Sequence, residues 1–207
     1  MRRLALVAPL VLLLVGCGGK SGGNQKGTMS CDIQGDASKA ELVELDPSKT
    51  YSVAVKTNKG DFTFELAQKT SPCTTSAFAG LVKKGFFDGL TFHRIVPGFV
   101  IQGGDPQGNG TGGPGYTTVD APPPDTQYVK GLVAMAKAGN EPAGTSGSQF
   151  FVVSADGVQL TADYAVLGHV TSGIDVVEKI GKLGNPSDPS GRPTERVTIE
   201  KMQLSTR

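Results

Sequence analysis

The chain has 207 residues, which at about 100 to 200 residues per domain allows one domain with appendages or two small ones, and one is expected. Hydrophobic content of 38% with 19% charged is ordinary for a globular chain, and a mean hydropathy of −0.12 excludes a polytopic membrane protein. A formal charge of +1 argues against a dedicated nucleic-acid binder, because neutralising phosphates takes a basic surface; two histidines and three cysteines leave little material for a zinc site. The 29 glycines and 13 prolines, about a fifth of the chain, favour turn-rich β architecture over a helical bundle.

The N-terminus reads as a processing signal. Arg2 and Arg3 precede an apolar run from Leu4 to Val15, twelve residues where a spanning helix needs about 20, so the run fits a signal-peptide core. It ends in Leu14-Val15-Gly16-Cys17, which resembles the lipobox of bacterial lipoproteins, in which the signal is cut before the cysteine and that cysteine is lipidated. An ordinary secretory signal cut nearby is the alternative, and the chain is exported under either. Removing residues 1–16 leaves 18 basic against 19 acidic residues, a net charge of −1. The polar, glycine-rich stretch after Cys17 cannot bury enough apolar surface to fold and reads as a tether. The expected division is a signal peptide at 1–16, a lipidated cysteine and flexible linker at 17–50, and a folded domain at 51–204. With Cys17 lipidated, Cys31 and Cys73 remain as an even pair, a disulfide candidate in an exported protein. Two unpaired thiols are the alternative, because a sequence does not supply the Cα separation a bridge requires. If formed, the bridge staples the end of the linker to the first helix.

In the folded part, Tyr51–Thr57 and Asp61–Leu66 alternate apolar and polar residues around Asn58-Lys59-Gly60, a hairpin. Ser71 as cap, Pro72 at the first helical position, the apolar face Ala77, Phe78, Leu81, Val82 and the stop Gly85 predict a helix of about three turns. Short strands are predicted at 91–96, 99–102, 131–136, 149–154 and 165–170, with a glycine-proline loop over 103–124. A second helix at 173–180 precedes a last strand over 196–204. Eight short strands and two helices predict a mainly β fold, a closed antiparallel eight-stranded barrel capped by two α-helices.

Three patterns carry little. Gly108-x-Gly110-x-x-Gly113 matches a dinucleotide fingerprint, but no strand leads into it and Pro114-Gly115 stands where a helix should begin. Gly144-Thr-Ser-Gly-Ser148 starts like a nucleophile elbow but has serine at its fifth position and lacks a parallel βα context. His93 and His169 are far apart with no neighbouring ligand motif, so no metal site is expected.

The informative segment is Phe-Phe-Asp-Gly-Leu-Thr-Phe-His-Arg-Ile-Val-Pro-Gly-Phe-Val-Ile-Gln-Gly-Gly-Asp, residues 86–105, which resembles the signature of cyclophilins, the peptidyl-prolyl cis-trans isomerases. A second block, Val133–Gly139 followed by Thr145–Phe151, resembles the other half of the cyclophilin site, and the resemblance spans about Tyr51 to Leu204. The chemistry this implies needs no nucleophile, metal or general base. Rotation about an X-Pro bond faces a barrier of about 18–20 kcal/mol, because the amide lone pair is delocalised into the carbonyl, and no bond breaks. A catalyst needs an apolar cradle for the ring and a donor that favours the pyramidalised nitrogen. A 10⁵-fold acceleration asks for roughly 7 kcal/mol of preferential transition-state binding.

By the resemblance, Arg94 is the guanidinium that reaches the prolyl nitrogen and substrate carbonyl, Phe99, Phe151 and Leu160 form the proline pocket, and Gln102 orients Arg94 and the substrate. His93 falls at the rim, in a positioning role. Gly110, Ala136, Ala138 and Gln149 match groove positions that receive the residues before proline. Four substrate-binding positions depart from the family: Val100 replaces methionine and shortens a pocket wall, Lys137 replaces asparagine and places a charge over the groove, Gln159 replaces tryptophan, and Tyr164 replaces histidine. The missing indole at 159 implies weakened inhibition by cyclosporin. The resemblance implies proline-containing polypeptides as substrates and no cofactor; the lipidated Cys17 implies a bacterial membrane, on its extracytoplasmic face. A monomer is expected. A binding module that holds proline-containing segments without turnover is the alternative function.

Overall fold

The computed structural model describes residues 30–207, so the predicted signal peptide, Cys17 and the glycine-rich stretch after it lie outside the described residues. The predicted hairpin forms as β2 (Tyr51–Thr57) and β3 (Gly60–Leu66), with Val53, Val55, Phe62, Phe64 and Leu66 buried on one face as the period-2 pattern requires. Helix α1 (Pro72–Lys83) starts at Ser71 with proline in its first turn, although the buried Ser71 hydroxyl caps nothing. Gly85, at φ +69°, ends it: its N–H donates to Val82 O and the Phe86 N–H to Leu81 O, a Schellman closure that a residue with a Cβ disfavours.

The remaining strands are β4 (Arg94–Val96), β5 (Val100–Gly103), β6 (Tyr116–Val119), β7 (Leu132–Met135), β8 (Thr145–Ser146), β9 (Phe150–Val153), β10 (Val166–Ser172) and, after helix α2 (Ile174–Gly181), β11 (Ile199–Thr206). Eight form one antiparallel sheet in the order β11-β2-β3-β10-β7-β9-β5-β4. The architecture is mainly β with two helices, but the sheet is an open half-barrel, which corrects the expectation of a closed barrel. The edge strands β4 and β11 share no ladder. The seam is crossed ahead of β4, where the Gly89 N–H donates to Ile199 O (2.7 Å) and the Phe92 N–H to Val197 O (3.0 Å), while the Ile95 N–H goes to Gly191 O in a loop. Pro186, Pro189 and Pro193 lie in the chain entering β11; proline cannot donate to a ladder, and regular pairing starts only at Ile199.

Predicted strand ends fall within three residues of those observed, and three strands fall where none was predicted. Two of them, β6 and β8, join β1 (Ile33–Gly35) in a small second sheet of order β1-β6-β8. Strand β1 lies within the stretch expected to be linker. The Sγ atoms of Cys31 and Cys73 are joined, tying the chain ahead of β1 to the start of α1 across a Cα separation of 5.5 Å. Residues 31–50 therefore lie fastened against the domain: the Val43 N–H donates to Ser76 O, and Ser76 Oγ donates to Val43 O.

Strand alternation divides the buried side chains into two clusters. Ile95, Ile101, Val133, Met135, Phe150 and Val152 face the interior, where Phe78 of α1 meets Phe150 edge-on at 5.7 Å. Their sequence neighbours Val100, Leu132, Ala134, Phe151 and Val153 face the other way and make a separate cluster with Phe99, Ala136, Leu160 and Tyr164. That second cluster is the floor of the site.

Candidate active site

Register puts the site together. Across β4, β5 and β9, Arg94 pairs with Gln102 and Gln102 with Phe151, while Phe151 is opposite Ala134 on β7. These four residues sit in one row across four strands, on the face turned away from the main core. Around them a pocket of about 250 Å³ is lined by Arg94, Phe99, Val100, Gln102, Ala136, Lys137, Phe151, Leu160 and Tyr164. Phe99, Val100, Ala136, Phe151, Leu160 and Tyr164 give it an apolar side, and Arg94, Gln102 and Lys137 a polar one. Phe151 and Tyr164 meet edge-on with centroids 5.4 Å apart, and Tyr128 packs behind both. The Tyr128 hydroxyl donates to Tyr164 O (2.7 Å) and accepts from the Tyr164 N–H (3.0 Å), which fixes that wall; burial pushes the Tyr128 phenol pKa up. Tyr128 was missed from sequence, because an isolated tyrosine in a proline-rich loop carries no periodic signal.

At the mouth stands the guanidinium of Arg94. Its Nη1 donates to Gln102 Oε1 (3.3 Å), Gln102 Nε2 donates to Gln149 Oε1 (3.0 Å), and Gln149 Nε2 donates to Gly112 O (2.9 Å). Among the described residues no carboxylate lies within ion-pair distance of Arg94. The cation is thus oriented by a neutral amide and keeps its charge for whatever enters the pocket.

The other predicted site residues are more scattered. Gly110, Ala138 and Gln149 line a larger groove of about 690 Å³ that shares Gln102, Ala136 and Lys137 with the pocket. Gln159 is exposed and lines neither. His93 lines a different cavity of about 440 Å³, beside Arg192 and Arg196, and both its ring nitrogens are buried without a hydrogen-bond partner among the described residues. Burial holds the His93 pKa below its ordinary value; Asp105 opposes this and Arg94 reinforces it. Lys137 does not place its charge over the groove. Its side chain is 2% exposed, its Nζ pairs with Asp163 at 2.6 Å and donates to Glu141 O at 3.0 Å, and it lies 5.8 Å from the Tyr164 ring centroid. The long aliphatic stem lets the amine fold back to a carboxylate that the shorter asparagine could not reach.

Asp105 organises the loop that follows β5. Its carboxylate accepts the N–H groups of Gln107 (2.7 Å), Asn109 (3.0 Å) and Gly110 (2.5 Å). Burial pushes its pKa up, but the backbone N–H groups of Gln107, Gly110, Asn109 and Gly112 outweigh it and hold the carboxyl below its usual value. Two glycines of the apparent dinucleotide fingerprint thus serve this acid-centred loop, the Gly108 N–H donating to Asp105 O and the Gly110 N–H to its carboxylate. Its role was missed from sequence, and an aspartate ahead of Pro-x-Gly-x-Gly is the signal that could have found it.

A pocket with an apolar side and one oriented cation, sharing Gln102, Ala136 and Lys137 with a larger groove, suits a polypeptide segment and action on a backbone bond without cleaving it. Residues 52–204 match the family model described as cyclophilin type peptidyl-prolyl cis-trans isomerase/CLD. The chain is 41% identical over 143 residues to a peptidyl-prolyl cis-trans isomerase of Helicobacter pylori, covering 68% of this chain and 86% of that one. It is 37% identical over 183 residues to peptidyl-prolyl cis-trans isomerase A of Mycobacterium tuberculosis, covering 80% and 98%. Among solved structures it is similar to a cyclophilin type peptidyl-prolyl cis-trans isomerase of Cryptosporidium parvum, with a TM-score of 0.66 and 30% identity over 75% of this chain and 98% of that one. The same protein crystallised in the presence of the dipeptide Ala-Pro matches with a TM-score of 0.65. The chain belongs to the cyclophilin-type peptidyl-prolyl cis-trans isomerase family, and isomerisation of X-Pro bonds is its activity.

Proposed function

We propose that this isomerase is an exported, lipid-anchored protein that accelerates proline-limited folding of other exported chains, with Arg94 as its catalytic residue. The single observation that carries the catalytic assignment is the Arg94 guanidinium, free of any carboxylate partner among the described residues and held by Gln102 at the mouth of an apolar pocket. In this reading the proline ring sits against Phe99, Val100, Phe151 and Leu160, away from water. As the C–N bond twists, the nitrogen lone pair leaves conjugation and becomes an acceptor, and the guanidinium donates to it. The interaction exists in the twisted state and not in the planar one, so it lowers the barrier rather than merely binding substrate. Gln102 and Gln149 position Arg94, and Tyr164 walls the ring.

Export rests on Arg2, Arg3, the apolar run Leu4 to Val15 and Leu14-Val15-Gly16-Cys17. The Cys31–Cys73 bridge supports it, since disulfides persist in oxidising compartments. The proposed processing removes residues 1–16, lipidates Cys17 and leaves the glycine-rich stretch as a tether to the outer face of the membrane, with proline-containing polypeptides as substrates and the protein acting as a monomer.

The test is the cis-to-trans relaxation of a short X-Pro peptide, with and without the protein, beside Arg94→Ala and Arg94→Lys. The expected result is strong acceleration by the wild type and a loss of about 10²-fold or more in kcat/KM in Arg94→Ala, on the scale of removing a single transition-state donor. Arg94→Lys should recover little, because a point charge cannot hold Gln102 and the nitrogen together. Full activity in a folded Arg94→Ala protein would overturn the assignment.

A further inference from the structure

The groove of about 690 Å³ that continues from the proline pocket has a wall that the matched family segment does not supply. Residues 52–204 carry the family match, yet Gln34 and Gly35 of β1 line this groove together with Ala136 and Gln149. Strand β1 is firmly placed. It pairs with β6 through Ile33–Thr118, Gln34–Thr117 and Gly35–Tyr116, is anchored ahead by the Cys31–Cys73 bridge, and is held behind where the Asp36 N–H donates to Gly115 O at 3.0 Å. Gly35 has φ +88°, and a Cβ there would stand 2.8 Å from Gly115 O, so close approach to the β6 side depends on glycine.

We infer that Gln34 is a specificity-determining residue of this isomerase, contacting the substrate two or three residues ahead of the proline and favouring a long, uncharged, hydrogen-bonding side chain there. The inference rests on the placing of the proline in the Arg94 pocket, which makes the adjoining groove the path of the preceding residues. The preferred chemistry follows from the lining. Gln34 and Gln107 line it with amides, while the Gln149 amide is held between Gln102 and Gly112 O and the Thr111 hydroxyl donates to Asn109 Oδ1. The two charged groups that line the groove are already engaged, Lys137 with Asp163 and Glu141 Oε2 with the Ala138 N–H at 2.6 Å. Gln34 Nε2 donates to Asp32 Oδ1 at 2.9 Å, which orients the amide and leaves Oε1 to accept from a substrate. An acidic substrate side chain would meet Glu141; a purely apolar one would make no hydrogen bond to the exposed Gln34 amide. The groove volume falls within the range of about 300–1,000 Å³ typical of small-ligand sites, room enough for an extended side chain.

The experiment uses the full chain and Gln34→Leu, with Gln34→Ala as a second variant. Substrates are a capped peptide with one residue before proline and longer peptides carrying glutamine, leucine or glutamate at the second or third position before it. The wild type should show a KM about 3- to 10-fold lower for the best-placed glutamine peptide than for its leucine counterpart, the worth of one added hydrogen bond. Both variants should bring that ratio near one by raising KM for the glutamine peptide, with kcat unchanged and the short peptide unaffected. An unchanged ratio in both variants overturns the inference, as does an equal rise in KM for the short peptide. Failure of the wild type to accelerate even the short peptide would strike the isomerase reading itself.

Discussion

Arg94, Lys137 and, in the neighbouring cavity, His93 are three cationic or potentially cationic residues with three different fates, and burial and partners decide each. Arg94 is held by an amide and stays available; Lys137 is buried and spent on Asp163. Removing one member of a buried pair leaves the other unpaired, at a cost of about 3–5 kcal/mol when both are dry. Because Asp163 is partly exposed, Lys137→Ala should cost less, about 1–3 kcal/mol, read as a shift in the urea midpoint with an unchanged slope. His93 is held below its ordinary pKa chiefly by burial, so the folded state resists a proton that the unfolded chain accepts. Its contribution to stability is therefore present above about pH 6.5, the unfolded value, and is lost as pH falls from there toward the lower folded value. His93→Gln should flatten the stability-versus-pH curve in that window, as measured by thermal unfolding from pH 5 to 8. Because no group must transfer a proton, kcat/KM of the wild type should stay level from about pH 7 to 9.

At the scale of elements, the loop after β5 and the strap formed by β1 are the two pieces that complete the groove, and each hangs on one chemical feature. In the loop that feature is the Asp105 carboxylate, which accepts from Gln107, Asn109 and Gly110. Asp105→Ala leaves several donors without an acceptor, each worth about 1–3 kcal/mol if it stays buried. The loop should loosen, and kcat/KM should fall with a larger change in KM than in kcat, since Gly112 O holds Gln149. With its folded pKa lowered, the Asp105 contribution is complete above the unfolded value near 3.9 and disappears as pH falls through the folded one. For the strap the feature is the Cys31–Cys73 bridge, which spans 42 residues of chain. In the chain-entropy view closing such a loop stabilises by about 4 kcal/mol. Reduction should lower amide protection in β1 and in Tyr116–Thr118 by about tenfold or more while β7 and β9, buried on both faces, stay protected. Equal protection in both redox states would mean that the three-residue ladder suffices by itself.

For the whole molecule, the open half-barrel has an apolar interior and an apolar outer patch, and only the patch is accessible. In the proposed reading, keeping the wall that takes the proline ring off the core lets substrates reach it without unfolding anything. The proposed tether sets how such a domain meets its substrates: anchored at Cys17, it is confined to a surface where exported chains emerge. Cys17→Ser should move the protein from the membrane to the soluble fraction while leaving the rate on a short peptide unchanged. Retention at the membrane by the variant would place the attachment elsewhere.

How much was legible in the sequence varies with the range of the interactions involved. The β2–β3 hairpin, α1 and α2 are local, and their periodicities and punctuation place them within a residue or two. Arg94, Gln102 and Phe151 of the row, and Phe99 beside it, were legible through the family pattern of residues 86–105 and 145–151, since alternation within short strands fixes which strand side chains share a face. Strands β6 and β8 were hidden because their partners are each other and β1, and four or fewer residues among glycines and prolines show no period. The fold of Lys137 back onto Asp163 was likewise invisible, because a charged side chain reads as solvent-facing until a partner 26 positions on is brought beside it. By itself, then, the sequence determined the strands of the hairpin, the two helices, the family and the residues of its signature, all matters of spacing along the chain. Only the tertiary structure decided that the sheet stays open, that Lys137 is spent, that His93 faces another cavity and that β1 walls the groove. Those depend on which distant backbones find free N–H and C=O groups and which charges find each other, and neither is written in local order.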